Sequence, residues 1–107
     1  MSVTIKTNDG VMRALIKGEI DHHTTPSVRE QIDDALVNSE SVKALVLDFK
    51  DVTFMDSSGV GLVMGRYRLA SSRGVSLRVD NLSKRDYIIM KMSGIERLAE
   101  INERTGE

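Results

Sequence analysis

Apolar and polar residues alternate from Val3 to Thr7, and the same is nearly true of Val11 to Lys17; between them stands Asn8-Asp9-Gly10. Two period-2 stretches joined by Asp-Gly predict a β-hairpin. Gly18 to Thr24, G-E-I-D-H-H-T, reads as a loop. Thr24 or Thr25 can then cap a helix that carries Pro26 in its first turn, where a missing N–H costs nothing. Val28, Ile32, Ala35 and Leu36 follow at helical spacing, with Arg29, Glu30, Asp33 and Asp34 on the rest of the surface. Lys43 to Phe49 is a nearly continuous apolar run of strand length, the pattern of a strand buried on both faces. Val52 to Met55 leads into F-M-D-S-S-G-V-G-L-V-M-G, residues 54–65, and a second helix runs to about Arg73, closed by Gly74. Val75 to Val79 predicts a strand, Asn81-Leu82-Ser83 a loop ending in a cap, Ser83 to Met92 a third helix closed by Gly94, and Leu98 to Ile101 a last short strand. The polar tail from Asn102 to Glu107 is expected to fray.

The resulting order, β-β-α-β-α-β-α-β, predicts one α/β domain over residues 1–107, with a mainly parallel sheet made mixed by the opening hairpin. Composition narrows the function. Apolar residues are 40 % of the chain but aromatic ones only 4 %, so the core must be aliphatic. A net charge of −1, from 15 basic and 16 acidic residues, argues against a nucleic-acid module, which needs a basic footprint, and against a polybasic membrane anchor. With no cysteine there is no disulfide framework and no thiol chemistry. No apolar run approaches the ~20 residues of a membrane span, and the first ten residues lack a signal peptide's apolar segment. A cytoplasmic protein without a metal or other cofactor is the expectation.

The 54–65 stretch admits three chemistries. Gly59, Gly61 and Gly65 follow a strand and open a helix, and Asp80 ends the next strand, as in a dinucleotide fingerprint. The last glycine spacing is one residue too long, however, and the motif follows the third strand rather than the first. Ser58 could instead be a nucleophile, with His22 or His23 as base and Asp21, Asp48 or Asp56 as orienter; D-S-S-G is not the G-x-S-x-G elbow. Only two histidines exist, and adjacent ones diverge, which makes a poor metal site.

The third chemistry is modification. With Asp56 as N-cap, Ser57 and Ser58 lie in the first helical turn. Val60, Val63, Met64, Tyr67 and Ala70 then share one face, expected to pack on the sheet. Ser58, Gly61, Leu62, Gly65, Leu69 and Ser72 share the opposite face, with Arg66, Arg68 and Arg73 on its margins. Two interior glycines cost about 1 kcal/mol each relative to alanine, and close approach of another surface is the natural reason to keep them. That surface is either a docking partner or another helix of the same domain. A phosphate on Ser58 would be tolerated by the helix N-terminus yet would charge a docking face. Ser58, rather than Ser57, lies on the Leu62/Gly65 face.

G-E-I-D-H-H-T at 18–24, V-L-D-F-K-D-V-T-F-M-D-S-S-G-V-G-L-V-M-G-R-Y at 46–67 and M-S-G-I at 92–95 resemble the bacterial anti-sigma factor antagonists, which are STAS-domain proteins. The resemblance spans roughly residues 3–101. It implies a small mixed β-sheet with helices packed mainly on one side. It also implies a non-enzymatic regulator: unphosphorylated, it binds an anti-sigma factor that is also an ATP-dependent serine kinase, and so releases a sigma factor. The kinase phosphorylates the serine before the glycine, Ser58, and a serine phosphatase reverses this. Asp21, His22, His23 and Thr24 would lie beside Asp56, Ser57, Ser58 and Gly59 in the docking surface, with Gly61, Leu62, Gly65 and Leu69 along the helix. Two departures stand out: Ser83-Lys84 replaces the family's usual Ser-Pro before the third helix, and the chain stops soon after the last strand. A STAS-type scaffold or transporter-linked module is the alternative that the same resemblance allows.

Overall fold

Asp9 and Gly10 both adopt positive φ, 51° and 80°, and fold Ser2–Asn8 (β1) back on Val11–Ile20 (β2) as an antiparallel pair. Such a two-residue turn matches the twist of the strands it joins. The computed structural model describes residues 2–105, and the chain continues as α1 (Thr25–Val37), β3 (Ala44–Met55), α2 (Ser58–Ser72), β4 (Ser76–Leu82), α3 (Lys84–Met92), a 3-10 turn (Ile95–Arg97) and β5 (Glu100–Glu103). The sheet order is β1-β2-β3-β4-β5, with β2 through β5 parallel. Strands added one after another by crossovers of a single hand put their helices on the same side. In register, Met12, Leu45 and Leu77 form one inward row, and Ala14, Leu47 and Val79 the next. These rows meet Val28, Ile32 and Leu36 of α1, Val63 and Ala70 of α2 and Met90 of α3 in a single aliphatic core. The architecture is the expected mixed sheet with its helices on one side.

The helix-free face of the sheet is closed differently. Val46 and Asp48 of β3 are buried, as a doubly covered strand requires, but no helix layer covers them. Arg13 and Arg78 flank Val46 in register, and long side chains of this kind cover apolar surface while keeping their charge wet. Their heads join a polar network: Arg13 Nη1 donates to Asp48 Oδ2 at 2.8 Å and Nη2 to Asp80 Oδ2 at 3.3 Å. Arg78 Nε and Asn102 Nδ2 both donate to Asp80 Oδ1 at 3.0 Å, and Asn81 Nδ2 to Asp48 Oδ1 at 2.9 Å. Asn102 and Glu103 thus belong to β5, and Arg104 Nη2 donates to the Phe49 carbonyl at 2.9 Å. The expected frayed tail is therefore anchored through residue 104; positions 106 and 107 lie outside the described residues. Other boundaries move by a few residues: β2 takes in Gly18 to Ile20, β4 takes in Asn81 and Leu82, and β5 starts at Glu100 because a 3-10 turn intervenes.

Burial alone would raise the Asp80 carboxyl, but hydrogen bonds from Asn102 and Arg78 and the charges of Arg78 and Arg13 outweigh it and hold its pKa below the usual carboxylate value. The folded state therefore binds this proton less readily than the unfolded chain. The stabilisation is fully present above the unfolded pKa, ~3.9, and fades as pH falls through the lower folded value. Asp80→Ala is expected to cost about 1–3 kcal/mol at neutral pH. Urea melts should show the gap between wild type and variant closing below about pH 4; a gap independent of pH would show that the carboxylate's charge contributes nothing.

Candidate functional site

The G-E-I-D-H-H-T and F-M-D-S-S-G segments meet because β2 and β3 end side by side, with Ile20 paired to Met55. Asp56 N donates to the Ile20 carbonyl at 3.1 Å, which ties the two following loops together at the C-terminal ends of the strands. Thr24 Oγ1 accepts from Asp21 N at 2.9 Å and donates back to the Glu19 carbonyl at 2.9 Å. Asp21 Oδ1 accepts from His23 N at 2.8 Å and Thr24 N at 3.0 Å. The Thr24 N–H leads the interactions that lower the Asp21 carboxyl pKa, so this group stays ionised. Thr24 is the N-cap position of α1 but makes no side-chain cap bond; its hydroxyl is committed to closing the loop. The loop is thereby held shut by its own backbone and presents His22 and His23 outward; contrary to expectation the two do not diverge, their ring centres lying 4.0 Å apart.

On the facing loop, Asp56 Oδ1 accepts from Ser58 N at 2.8 Å. The cap geometry differs by one residue from expectation: Ser57 is the N-cap, without a side-chain bond, and α2 begins at Ser58. Asp56 still satisfies one of the helix's otherwise orphaned N–H groups, from one position further out. Ser57 is exposed and Ser58 half-buried.

The faces of α2 are the larger correction. Its buried residues are Gly59, Leu62, Val63, Arg66 and Ala70. That is an unbroken helical stripe at i, i+3, i+4, i+7 and i+11, but glycine and arginine do not score as apolar, so the sequence pattern selects a neighbouring stripe. Val60, Met64 and Tyr67, expected on the core face with Val63 and Ala70, are half-buried at its margin. Leu62, expected on the outward docking face, is 3 % exposed and belongs to the core. Gly59 is buried against the Met55 side chain, which a β-carbon there would strike, so its role is close packing and not contact with a partner. Leu69 is half-buried. Ser58, Gly61 and Gly65 keep an open side: a β-carbon at Gly61 or Gly65 would meet nothing within 4 Å.

Arg66 is buried because α1 supplies its counter-ion. Arg66 Nη2 donates to Asp33 Oδ2 at 3.2 Å, Nε lies 2.7 Å from Asp33 Oδ1, and Nη1 donates to the Leu62 carbonyl at 3.1 Å. The Nε contact is close but poorly aligned, more a charge pair than a hydrogen bond. Burial, opposed by Asp33, pulls the guanidinium pKa below the ordinary arginine value.

The Asp33–Arg66 pair joins α1 to α2, and beside it the same two helices bring Thr25 and Arg29 together with Ser58 and Leu62. Thr25, Arg29, Ser58, Gly61, Gly65 and Arg68 line a groove of about 460 Å³ whose inner wall is Leu62 and Arg66. Thr25 and Arg29 have no signal within their own segment; only the parallel packing of α1 on α2 brings them to Ser58.

The competing chemistries find no support here. A dinucleotide crevice forms where strand order reverses, and this sheet has no reversal. Gly61 and Gly65 lie within a helix, and Asp80 is engaged by Arg13, Arg78 and Asn102. Among the described residues no hydrogen bond joins Ser58 to either histidine, no three potential metal ligands cluster, and no helix is long and apolar enough to cross a membrane.

A profile of the STAS domain family matches residues 2–107. The chain is 33 % identical over 101 residues to the anti-sigma F factor antagonist of Paenibacillus polymyxa, covering 94 % of this chain and 86 % of that one. Its fold is similar to that of the anti-sigma factor antagonist SpoIIAA in its unphosphorylated form, with a TM-score of 0.78 and 27 % identity over 94 % of this chain and 87 % of that one. The phosphorylated form of the Bacillus cell fate determinant SpoIIAA superposes with a TM-score of 0.72, again at 27 % identity, over 94 % of this chain and 90 % of that one.

Proposed function

Because the chain belongs to the STAS domain family, we propose that it is an anti-sigma factor antagonist that docks an anti-sigma factor serine kinase through the Ser58 end of α2. It is a binding regulator and kinase substrate, works in the cytoplasm, and catalyses nothing itself. The observation that carries this reading is the placement of Ser58: half-buried at the mouth of the α1/α2 groove, beside the bonded D-H-H-T loop, at the start of a helix whose outward side is thinned by Gly61 and Gly65. The docking surface comprises Asp21, His22, His23 and Thr24, then Asp56, Ser57 and Ser58, then Gly61, Gly65 and Leu69.

In the modification step Ser58 Oγ attacks the γ-phosphorus of ATP, loses its proton, and ADP departs. A serine phosphatase returns the hydroxyl by hydrolysis. The phosphate adds about −1.5 to −2 charge and three acceptor oxygens where Asp56 is already negative. The backbone need not change, since the Ser58 N–H already bonds Asp56. Incubation with ATP and the cognate anti-sigma kinase, followed by peptide mass spectrometry, tests the reading; phosphate found elsewhere, Ser57 included, removes Ser58 from it.

Gly65 offers a separate check on the groove. Gly65→Ala should stabilise α2 by about 0.5–1 kcal/mol, since the added methyl has open space. Gly65→Gln should keep the fold and weaken kinase docking about tenfold or more, a loss of roughly 1.4 kcal/mol. Wild-type affinity in the glutamine variant, measured by calorimetry, would remove the groove from the interface.

A further inference from the structure

The groove beside Ser58 carries positive charge that the fold does not use. Arg66 is committed to Asp33 and to the Leu62 carbonyl. Arg29 and Arg68 also line the groove, are exposed, and take part in no ion pair among the described residues. Among the described residues no carboxylate lines it. The two free arginines are not equivalent toward Ser58. Arg68 lies ten residues along α2, roughly 15 Å away at 1.5 Å per residue. Arg29 stands on the opposite wall of the same groove, about one turn, or ~5.4 Å, along α1 from Thr25, which lines it with Ser58. A flexible arginine side chain across helices packed ~8–10 Å apart spans that gap. The charge of Arg29 is already felt inside the groove: after burial, which is the main cause, its repulsion also contributes to depressing the Arg66 guanidinium.

We propose that a phosphate on Ser58 is received by Arg29 across the mouth of the α1/α2 groove, with the Thr25 hydroxyl alongside. Guanidinium groups bind phosphate oxygens in pairs, and Arg29 makes no ion pair among the described residues, because Asp33, one turn along α1, is engaged by Arg66. The charged or titratable groups around Ser58 are Asp56, whose Oδ1 is held by the Ser58 N–H, and Asp21, His22 and His23 of the adjoining loop, which Arg29→Gln leaves in place. Modification then closes the groove from within: the phosphate and Arg29 together fill the entrance that a partner's side chain would use, in addition to charging the surface. This rests on Ser58 being the modified residue, but the test does not depend on a kinase.

Phosphoserine is installed genetically at position 58, and the phosphorus-31 shift is followed from pH 4 to 8. Free phosphoserine loses its second proton near pH 6. In the wild-type background that pKa should fall by about one unit, as for an anion paired with arginine. Arg29→Gln should return it to near 6, Arg29→Lys should keep part of the shift, and Arg68→Gln should leave it as in wild type. Wild-type and Arg29→Gln phosphoproteins titrating together would overturn the proposal, as would Arg68→Gln having the larger effect. Unmodified Arg29→Gln should melt with wild type, because the side chain is exposed and unpaired, which shows that the lost shift is not lost structure. Failure of a kinase to modify Ser58 would overturn the proposed function and leave this result standing.

Discussion

Phosphate on Ser58 is expected to weaken docking of the anti-sigma kinase by at least about 30-fold, a loss of ~2 kcal/mol or more, while Ser58→Ala binds like wild type. Ser58 is half-buried, so a partner covering the groove must desolvate whatever stands at its mouth. A hydroxyl loses little there. A dianionic phosphate loses its hydration there, and held by Arg29 of the same groove it fills the entrance that the partner would cover. Ser58→Asp should fall between the two, since it adds a single charge and a shorter group. The fold should be indifferent: Ser58 lies outside the core cluster, and its contribution to the start of α2 is a backbone N–H, not the side chain. Calorimetric titration of the three forms checks the order. Equal affinity for Ser58→Ala and Ser58→Asp would sink the charge argument even if the phosphorylation site stands.

Asp33→Ala is expected to be the most destabilising single change outside the apolar core, at about 3 kcal/mol. The Arg66 side chain is only 6 % exposed and Asp33 27 %, so the pair is buried on the arginine side and partly wet on the other. Removing the carboxylate strands a guanidinium inside the protein, and breaking such pairs costs ~3–5 kcal/mol; the exposure of Asp33 argues for the lower end. In a domain of this size each kcal/mol lowers Tm by about 4–8 °C, so a fall of about 12–24 °C should be seen. Replacing both partners, Asp33→Ala with Arg66→Met, should recover most of it, because an apolar side chain of similar length needs no counter-ion. A loss below about 1 kcal/mol in the single variant would show that water reaches Arg66 in its place.

These two expectations lie on opposite sides of what the chain reveals without its fold. The element order, the hairpin at Asp9-Gly10 and the α/β class were legible because alternation, helical period and turn chemistry are local signals. So was Ser58 at the head of α2, next to an aspartate able to bind its N–H. The boundaries that slipped are those where pairing extends a strand past its apolar run, as at Gly18–Ile20 and Asn81–Leu82, or where a 3-10 turn delays one, as before Glu100. The resemblance in D-H-H-T and F-M-D-S-S-G named a docking surface, but parallel pairing of β2 with β3 is what joins the two segments physically.

Which side of α2 faces inward is another matter. By itself the sequence determined that a helix with a thinned side follows Asp56 and runs to about Arg73. It could not say that Gly59 and Arg66 lie inward and carry Leu62 with them. That choice depends on Met55 filling the space above Gly59 and on Asp33 waiting, 33 residues away, to neutralise Arg66. Helical period is a property of a segment. Whether a charge can be buried depends on a partner that only the packing of α1 against α2 supplies, and the same packing sets Arg29 across from Ser58.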